Sequence, residues 1–180
     1  MRTVVWTEQD RLRLIDQRRI PWELTFVEYT DYREVGRAIF DMVVRGAPAI
    51  GVSAAFGMVL AARQSAAADT GALLSELEAA AETLKNARPT AVNLAWAVDH
   101  MLAVARNATA HGTEGIRAAL LEAAQRMADD DVATNKRIAA YGAALIQDGD
   151  TILHHCNTGM LATVDYGTAL GVIRMAHEQG

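Results

Sequence analysis

The stretch RGAPAIGVSAAFG at residues 45–57 decides how this chain folds. It joins the end of an amphipathic helical pattern to a second helix that is rich in alanine and glycine. Pro48 suits the first turn of that second helix, where a missing N–H costs nothing. The small residues predict close packing against neighbouring helices, although each glycine costs about 1 kcal/mol relative to alanine. We therefore expect a helical core around residues 48–63.

The beginning of the same stretch has the features of a phosphate site. A helix start presents unpaired N–H groups and partial positive charge. Gly46 lets a ligand approach the backbone closely, and the Arg45 guanidinium is a planar fork of donors that fits phosphate oxygens. The alternative is a tight connection between two helices, with the arginine simply solvated.

Short strands are predicted before the helices. Residues 3–7, 11–16 and 24–29 are the candidates, because apolar and polar residues roughly alternate in the third of them, as in a half-buried strand. Asp31 and Glu34 then form a capping-box pattern, which predicts a helix that runs to Arg45-Gly46.

Helical patterns dominate the middle of the chain. They predict helices over residues 73–84, 94–105 and 113–138. The three consecutive aspartates at 129–131 are expected to bend or interrupt the last of these.

The pattern changes after residue 148. Residues 151–156 are typical of a buried strand, and residues 166–178 of a helix with Leu170 and Ile173 turned inward, which together make one βα unit. The predicted fold is α+β: a mainly helical N-terminal domain with a small antiparallel β-sheet (1–147), then the first βα unit of a truncated Rossmann-like domain (148–180). Because that strand has no second strand beside it, we expect an incomplete protein.

Composition excludes several classes of function. The formal charge is −5 and the basic residues are scattered, which disfavours a nucleic-acid surface. No apolar run approaches the roughly 20 residues that span a bilayer, and the start lacks a signal-peptide pattern. The single cysteine, Cys156, excludes an internal disulfide and suits a reducing cytoplasm. We expect a cytoplasmic protein.

Two further segments carry candidate chemistry. Arg88 precedes Pro89, which we expect to open a helix, so it repeats the arrangement around Arg45. Cys156 ends the predicted strand, and that end of a parallel sheet faces the ligand crevice. The alternative is a small core cysteine. His154 and His155 point to opposite faces of a strand, so we predict no metal site.

In this order, the segments at residues 12–21, 42–51, 88–94, 155–159 and 166–174 closely resemble the methylthioribose-1-phosphate isomerase family. The resemblance covers essentially the whole chain. Each motif is moderately specific alone, and the ordered set is much more so.

The resemblance implies a largely helical domain followed by a Rossmann-like domain, usually in a homodimer. It implies conversion of the aldose 5-methylthioribose 1-phosphate to the ketose 5-methylthioribulose 1-phosphate, in methionine salvage, without a cofactor. The family's acid/base aspartate belongs to a segment beyond Gly180, so we expect this chain alone to be inactive. By resemblance, Cys156 lies beside the reacting carbons as the catalytic residue, and the substrate is bound by Arg45, Gly46, Ala47 and Arg88.

Other interpretations remain open at this point. A related enzyme, a ribose-1,5-bisphosphate isomerase, would accommodate a second phosphate in place of the methylthio group. The regulatory subunits of translation initiation factor 2B share the architecture and are binding and assembly modules. A structural helical domain would use the same residues only for packing.

Overall fold

Helix α2 (Ala47–Gln64) is the centre of the fold. Every residue from Ala49 to Ala62 is buried, so neighbouring elements cover the helix on all sides. The small residues permit this close approach: a Cβ atom on Gly57 would lie 3.2 Å from the Leu84 side chain. The predicted core helix is confirmed.

The computed structural model describes residues 1–180. Helices on several sides of α2 complete the core, and the last helix packs on the one before it. None of these helices has the length and apolar character that a membrane crossing requires. The helices other than α2 are α1 (Tyr32–Phe40), α3 (Thr70–Lys85), α4 (Val92–Asn107), α5 (Gly112–Ala143) and α6 (Ala169–Gln179).

A three-stranded antiparallel sheet lies at the N-terminus, in the order β1-β2-β3. Val4 pairs with Leu14, and Leu12 pairs with Tyr29. Val4, Leu12 and Leu14 are buried in the same core as α2. The helix-rich α+β class with a small sheet is thus confirmed. The strands are β1 (Val4–Trp6), β2 (Leu12–Ile15) and β3 (Phe26–Tyr29).

Helix α1 is shorter than predicted, because it ends at Phe40 rather than at Arg45. Met42 adopts a left-handed conformation (φ 60°), and the Val43 N–H donates back to the Ala38 carbonyl at 2.9 Å. This turn buries Val43 and ends α1, and the chain then leads to α2. At the other end, the Asp31 side chain caps α1 by accepting from the Arg33 N–H.

Helix α5 runs unbroken through residues 129–131, so the predicted interruption is wrong. Two of the aspartates are held by partners outside the helix. Asp129 accepts from the Arg2 guanidinium at 2.6 Å, and Asp131 accepts from the Val164 N–H at 2.7 Å. Since these bonds use the carboxylates elsewhere, they do not compete for the backbone N–H groups of the helix.

The predicted strand at residues 151–156 is not formed. No other strand of the structure lies beside this segment, and a strand without a neighbour leaves its backbone groups without partners. Leu153 is 97% exposed. The following helix, α6, begins at Ala169 instead of Tyr166, and Leu170 is exposed rather than turned inward.

A charged turn after β2 fixes the chain before it crosses to β3. The buried Asp16 side chain accepts from the Arg18 backbone N–H (3.1 Å) and from the Arg18 guanidinium (2.8 and 2.7 Å). The hydrogen bonds from Arg18 hold the pKa of Asp16 below its usual value of 3.8. The folded state therefore favours the carboxylate.

Replacing Asp16 with asparagine should lower the free energy of unfolding at pH 7 by about 2 kcal/mol, since hydrogen bonds to a charged group are lost. Because the folded pKa is depressed, this stabilisation is present above pH 3.8 and is lost as the pH falls through the folded pKa. Urea unfolding of both proteins across this range measures the difference.

Asp31→Asn is the matched control for Asp16→Asn. Asp31 pairs with Arg33 at the same two-residue spacing, but its side chain is 31% exposed, so its replacement should cost less than about 1 kcal/mol. A difference between wild type and Asp16→Asn that does not change with pH would contradict the prediction.

Candidate functional site

The N-terminus of α2 is open to a ligand. Gly46 is its N-cap with φ 96°, no side chain caps the helix, and its first turn holds no acidic residue. The N–H groups of Ala47 and Ala49 donate to no acceptor within the chain. Free N–H groups and positive partial charge at a helix start together favour an anion.

The two predicted arginines are uncommitted to any acidic partner. Arg45 is exposed and Arg88 is half-buried, and neither takes part in an ion pair of the structure. Pro89 does not open α4 as predicted, because the helix begins at Val92 after a turn closed by the Ala91 N–H on the Arg88 carbonyl (2.9 Å). Both guanidinium groups are therefore available to a negatively charged ligand.

Two close approaches bring chain that follows Cys156 and chain that follows Arg88 against the first turns of α2. A Cβ atom on Gly46 would lie 2.3 Å from the backbone of Ala162, which follows the Cys156 segment. A Cβ atom on Gly51 would lie 3.1 Å from the carbonyl of Asn93, in the first turn of α4 after Arg88. The start of α2 thus contacts segments next to both other candidate sites.

Cys156 is exposed and has a positive φ of 88°. This conformation costs an ordinary residue about 1 kcal/mol or more, and it is found mainly where the surrounding structure or function demands it. The thiol is exposed, so it does not pack in the core that residues 1–180 form. The segment is tied down just after the thiol, where Thr158 accepts from the Leu170 N–H (3.0 Å) and contacts His154 (2.5 Å).

Sequence reasoning missed the residues that anchor the segment after Cys156. Thr3 donates to the Met160 carbonyl (2.8 Å), Gln17 donates to the Leu161 carbonyl (2.7 Å), and Asp131 accepts from the Val164 N–H. Burial raises the pKa of Asp131, while the bonds from Val164 and Asn135 oppose the rise. The only signal in the sequence was the run of aspartates, which resembles a helix interruption.

A cavity of about 710 Å³ lies between α2, α4 and α5. Its lining includes Pro48 of α2, Asn93 and Trp96 of α4, and Asp131 of α5. Arg45, Arg88 and Cys156 do not line it. The cavity is therefore separate from the three predicted side chains, although it begins at the same helix start.

Gly46→Ala should lower the free energy of unfolding by about 3 kcal/mol, because positive φ strain adds to a steric clash. The clash involves the Ala162 backbone, which cannot move as a flexible side chain would. Gly149→Ala is the control, since Gly149 also has a positive φ (85°) but has nothing within 4 Å of its Cβ position. The control should cost about 1 kcal/mol. Equal losses for the two variants in denaturant unfolding would contradict the close approach.

The family model for the initiation factor 2 subunit family matches residues 43–180. The chain belongs to this family. The match includes the segments of all three candidate sites, from Arg45 through Arg88 to Cys156.

Curated relatives of this family member are methylthioribose-1-phosphate isomerases. The protein of that name from Synechococcus sp. is 57% identical over 99% of this chain and 51% of its own length. The one from Thermosipho africanus is 54% identical, again over 99% of this chain and 51% of its own length. The chain thus spans about half the length of the curated relatives it matches. The predicted resemblance to these isomerases is confirmed.

Two solved structures share the fold of this family member. The 5-methylthioribose 1-phosphate isomerase from Pyrococcus horikoshii has a TM-score of 0.93 and 40% identity, covering 99% of this chain and 50% of that one. The delta subunit of translation initiation factor eIF-2B from A. fulgidus has a TM-score of 0.90 and 42% identity, covering 100% of this chain and 52% of that one. Fold alone therefore does not separate the enzyme from the initiation factor.

Proposed function

We propose that the full-length protein carrying this chain converts 5-methylthioribose 1-phosphate to 5-methylthioribulose 1-phosphate in methionine salvage. The observation that carries the proposal is the 57% identity to a methylthioribose-1-phosphate isomerase over 99% of the chain. The uncommitted arginines and the open start of α2 support it, because they suit a phosphorylated ligand.

The chemistry of the substrate explains which groups the site needs. Phosphate on the C1 hydroxyl leaves the sugar without a free aldehyde, so its ring does not open as a simple sugar's does. Opening the ring needs an acid near the ring oxygen, and isomerisation then moves a proton or a hydride between C2 and C1. The phosphate must be held still while these steps take place.

We assign the phosphate to the start of α2. The guanidinium groups of Arg45 and Arg88 and the backbone of Gly46 and Ala47 bind it in this proposal. Cys156 then lies beside the reacting carbons and acts as an acid/base or stabilises charge in the transition state. Its exposure supports this role, because an accessible thiol can meet a substrate.

The proposal includes a second half of the protein beyond residue 180. It supplies the acid/base aspartate and further strands of a Rossmann-like domain that begins near residue 148. Two exposed apolar side chains support this arrangement, Ile152 (43%) and Leu153 (97%), since elements packed on the two faces of a parallel sheet would cover them. The complete protein is a cytoplasmic homodimer, and residues 1–180 alone are inactive.

The deciding experiment measures turnover of two substrates by the full-length protein. We expect 5-methylthioribose 1-phosphate to be preferred over ribose 1,5-bisphosphate. Preference for the bisphosphate would assign the protein to the related isomerase. No turnover of either would favour a non-catalytic regulatory subunit, which the 42% identity to the eIF-2B delta subunit keeps as the second candidate.

A further inference from the structure

The segment at residues 12–21 contributes no group to the proposed site, yet it touches two parts of it. Gln17 follows the buried Asp16 in the turn after β2. Its backbone N–H donates to the Val43 carbonyl at 3.0 Å. Its side-chain amide donates to the Leu161 carbonyl at 2.7 Å. One residue is therefore bonded to two loops that are far apart in sequence.

Each of these bonds lies next to a proposed functional group. Val43 is two residues before Arg45 and is buried, so it fixes the base of the arginine loop. Leu161 precedes Ala162, whose backbone lies against Gly46. The same segment begins with Cys156. Gln17 therefore links two segments, the arginine loop (residues 43–47) and the cysteine segment (residues 156–164).

Hydrogen bonds of Asp16 and Arg18 hold the turn that carries Gln17. Arg18 binds the Asp16 carboxylate through its backbone and its guanidinium, and the Asp16 N–H donates to the Thr25 carbonyl at 2.9 Å. A side chain can fix the position of its bonding partner only if its own backbone is held in place.

We propose that Gln17 is a positioning residue that sets the distance between the arginine loop and the cysteine segment. This inference rests on the proposed function for its kinetic consequence. Truncating the side chain leaves the backbone bond to Val43 in place, so the arginine loop keeps its shape and still binds phosphate. The cysteine segment loses its tie to that loop, so the thiol is misplaced relative to the bound sugar.

Thr3 provides a matched control. Its hydroxyl also donates to a carbonyl of the cysteine segment, that of Met160 at 2.8 Å. Its backbone, however, bonds to Val164 and to Ile15, not to the arginine loop. Thr3→Val therefore removes one anchor of the cysteine segment and keeps the link that Gln17 makes to the arginine loop.

The test compares Gln17→Ala, Gln17→Glu and Thr3→Val in the full-length protein. Gln17→Ala should lower kcat about tenfold with KM changed less than about threefold, because small misplacements at a reacting centre reduce turnover strongly. Gln17→Glu keeps the size of the side chain but presents only acceptors to the Leu161 carbonyl, so it should not restore kcat. Thr3→Val should leave kcat within about twofold. Unchanged kcat in Gln17→Ala, or an equal fall in Thr3→Val, would overturn the proposal.

Amide hydrogen exchange gives a readout that does not depend on the reaction. Gln17→Ala should speed exchange at Ala162 and Thr163 and leave exchange unchanged at the residue-17 amide, which keeps its bond to Val43. Thr3→Val should speed exchange only in the cysteine segment. If wild type fails to turn over the substrate, the proposed function fails. The exchange rates still show whether Gln17 links the arginine loop to the cysteine segment. Unchanged exchange at Ala162 and Thr163 in Gln17→Ala, or faster exchange at the residue-17 amide, would contradict the proposal.

Discussion

Replacing Arg45 or Arg88 with alanine in the full-length protein should weaken sugar-phosphate binding by about 10- to 100-fold for each arginine. A charged hydrogen bond contributes about 1.5–3 kcal/mol, and each 1.4 kcal/mol is roughly tenfold in affinity. Neither arginine has an acidic partner in the structure, so its removal leaves no carboxylate unpaired. Titration calorimetry with 5-methylthioribose 1-phosphate measures the loss, and thermal unfolding checks that the fold is retained.

Arg106→Ala is the control for both arginine variants. Arg106 lies in the last turn of α4, at the other end of the helix that follows Arg88, and it pairs with Glu78 at 2.8 Å on the surface. Its replacement should leave affinity unchanged. Unaltered affinity in both Arg45→Ala and Arg88→Ala would show that the phosphate does not bind at the start of α2. A loss in only one of them would leave the other arginine without a role in binding.

Replacing Cys156 should have the second large effect, and it should fall on turnover. Cys156→Ser and Cys156→Ala should each lower kcat by at least about 100-fold, the contribution typical of a positioned acid or base. KM should change less than about threefold, because the phosphate is held by other groups. Near-normal turnover in either variant would mean that the thiol takes no part in the reaction.

Cys156→Gly separates catalysis from stability at this position. Glycine adopts the observed φ of 88° without strain, so the variant should be as stable as wild type or more stable by about 1 kcal/mol. It should nevertheless be as inactive as Cys156→Ala. A large loss of stability would indicate that the cysteine packs structurally instead.

Local sequence patterns predicted the core well because each pattern had one strong physical cause. The small residues of α2 and the fixed φ of Pro48 left little choice of structure at the centre of the fold. The three strands were predicted within a few residues, because alternation and turn residues bounded them. The core helix and the three strands share one feature: interactions between residues close in sequence determine them.

The errors arose where a distant partner decides the local structure. The left-handed turn at Met42 is selected by burial of Val43, which α1 alone does not reveal. The aspartates in α5 were interpreted as an interruption because the partners Arg2 and Val164 are distant in sequence. Residues 151–156 have the composition of a strand, but a strand forms only beside another strand.

The candidate site shows the same division. Arg45, Gly46, Arg88 and Cys156 were proposed from motifs of neighbouring residues and from a family resemblance, and they stay predictions. Gln17 was not found as an anchor, because its bond joins residues 144 positions apart. A glutamine in a turn has no local signature for such a bond.

A structure of the full-length protein with 5-methylthioribose 1-phosphate bound is the most direct test of the proposed site. We expect the phosphate to lie within hydrogen-bonding distance of Arg45, Arg88 and the free N–H groups of α2, about 2.7–3.2 Å. The Cys156 sulfur should lie about 4 Å from C1 or C2 of the same sugar, close enough for a proton to move directly or through one water. A phosphate bound elsewhere, or a thiol in a cavity that the sugar does not enter, would contradict the assignment of these groups to one reaction.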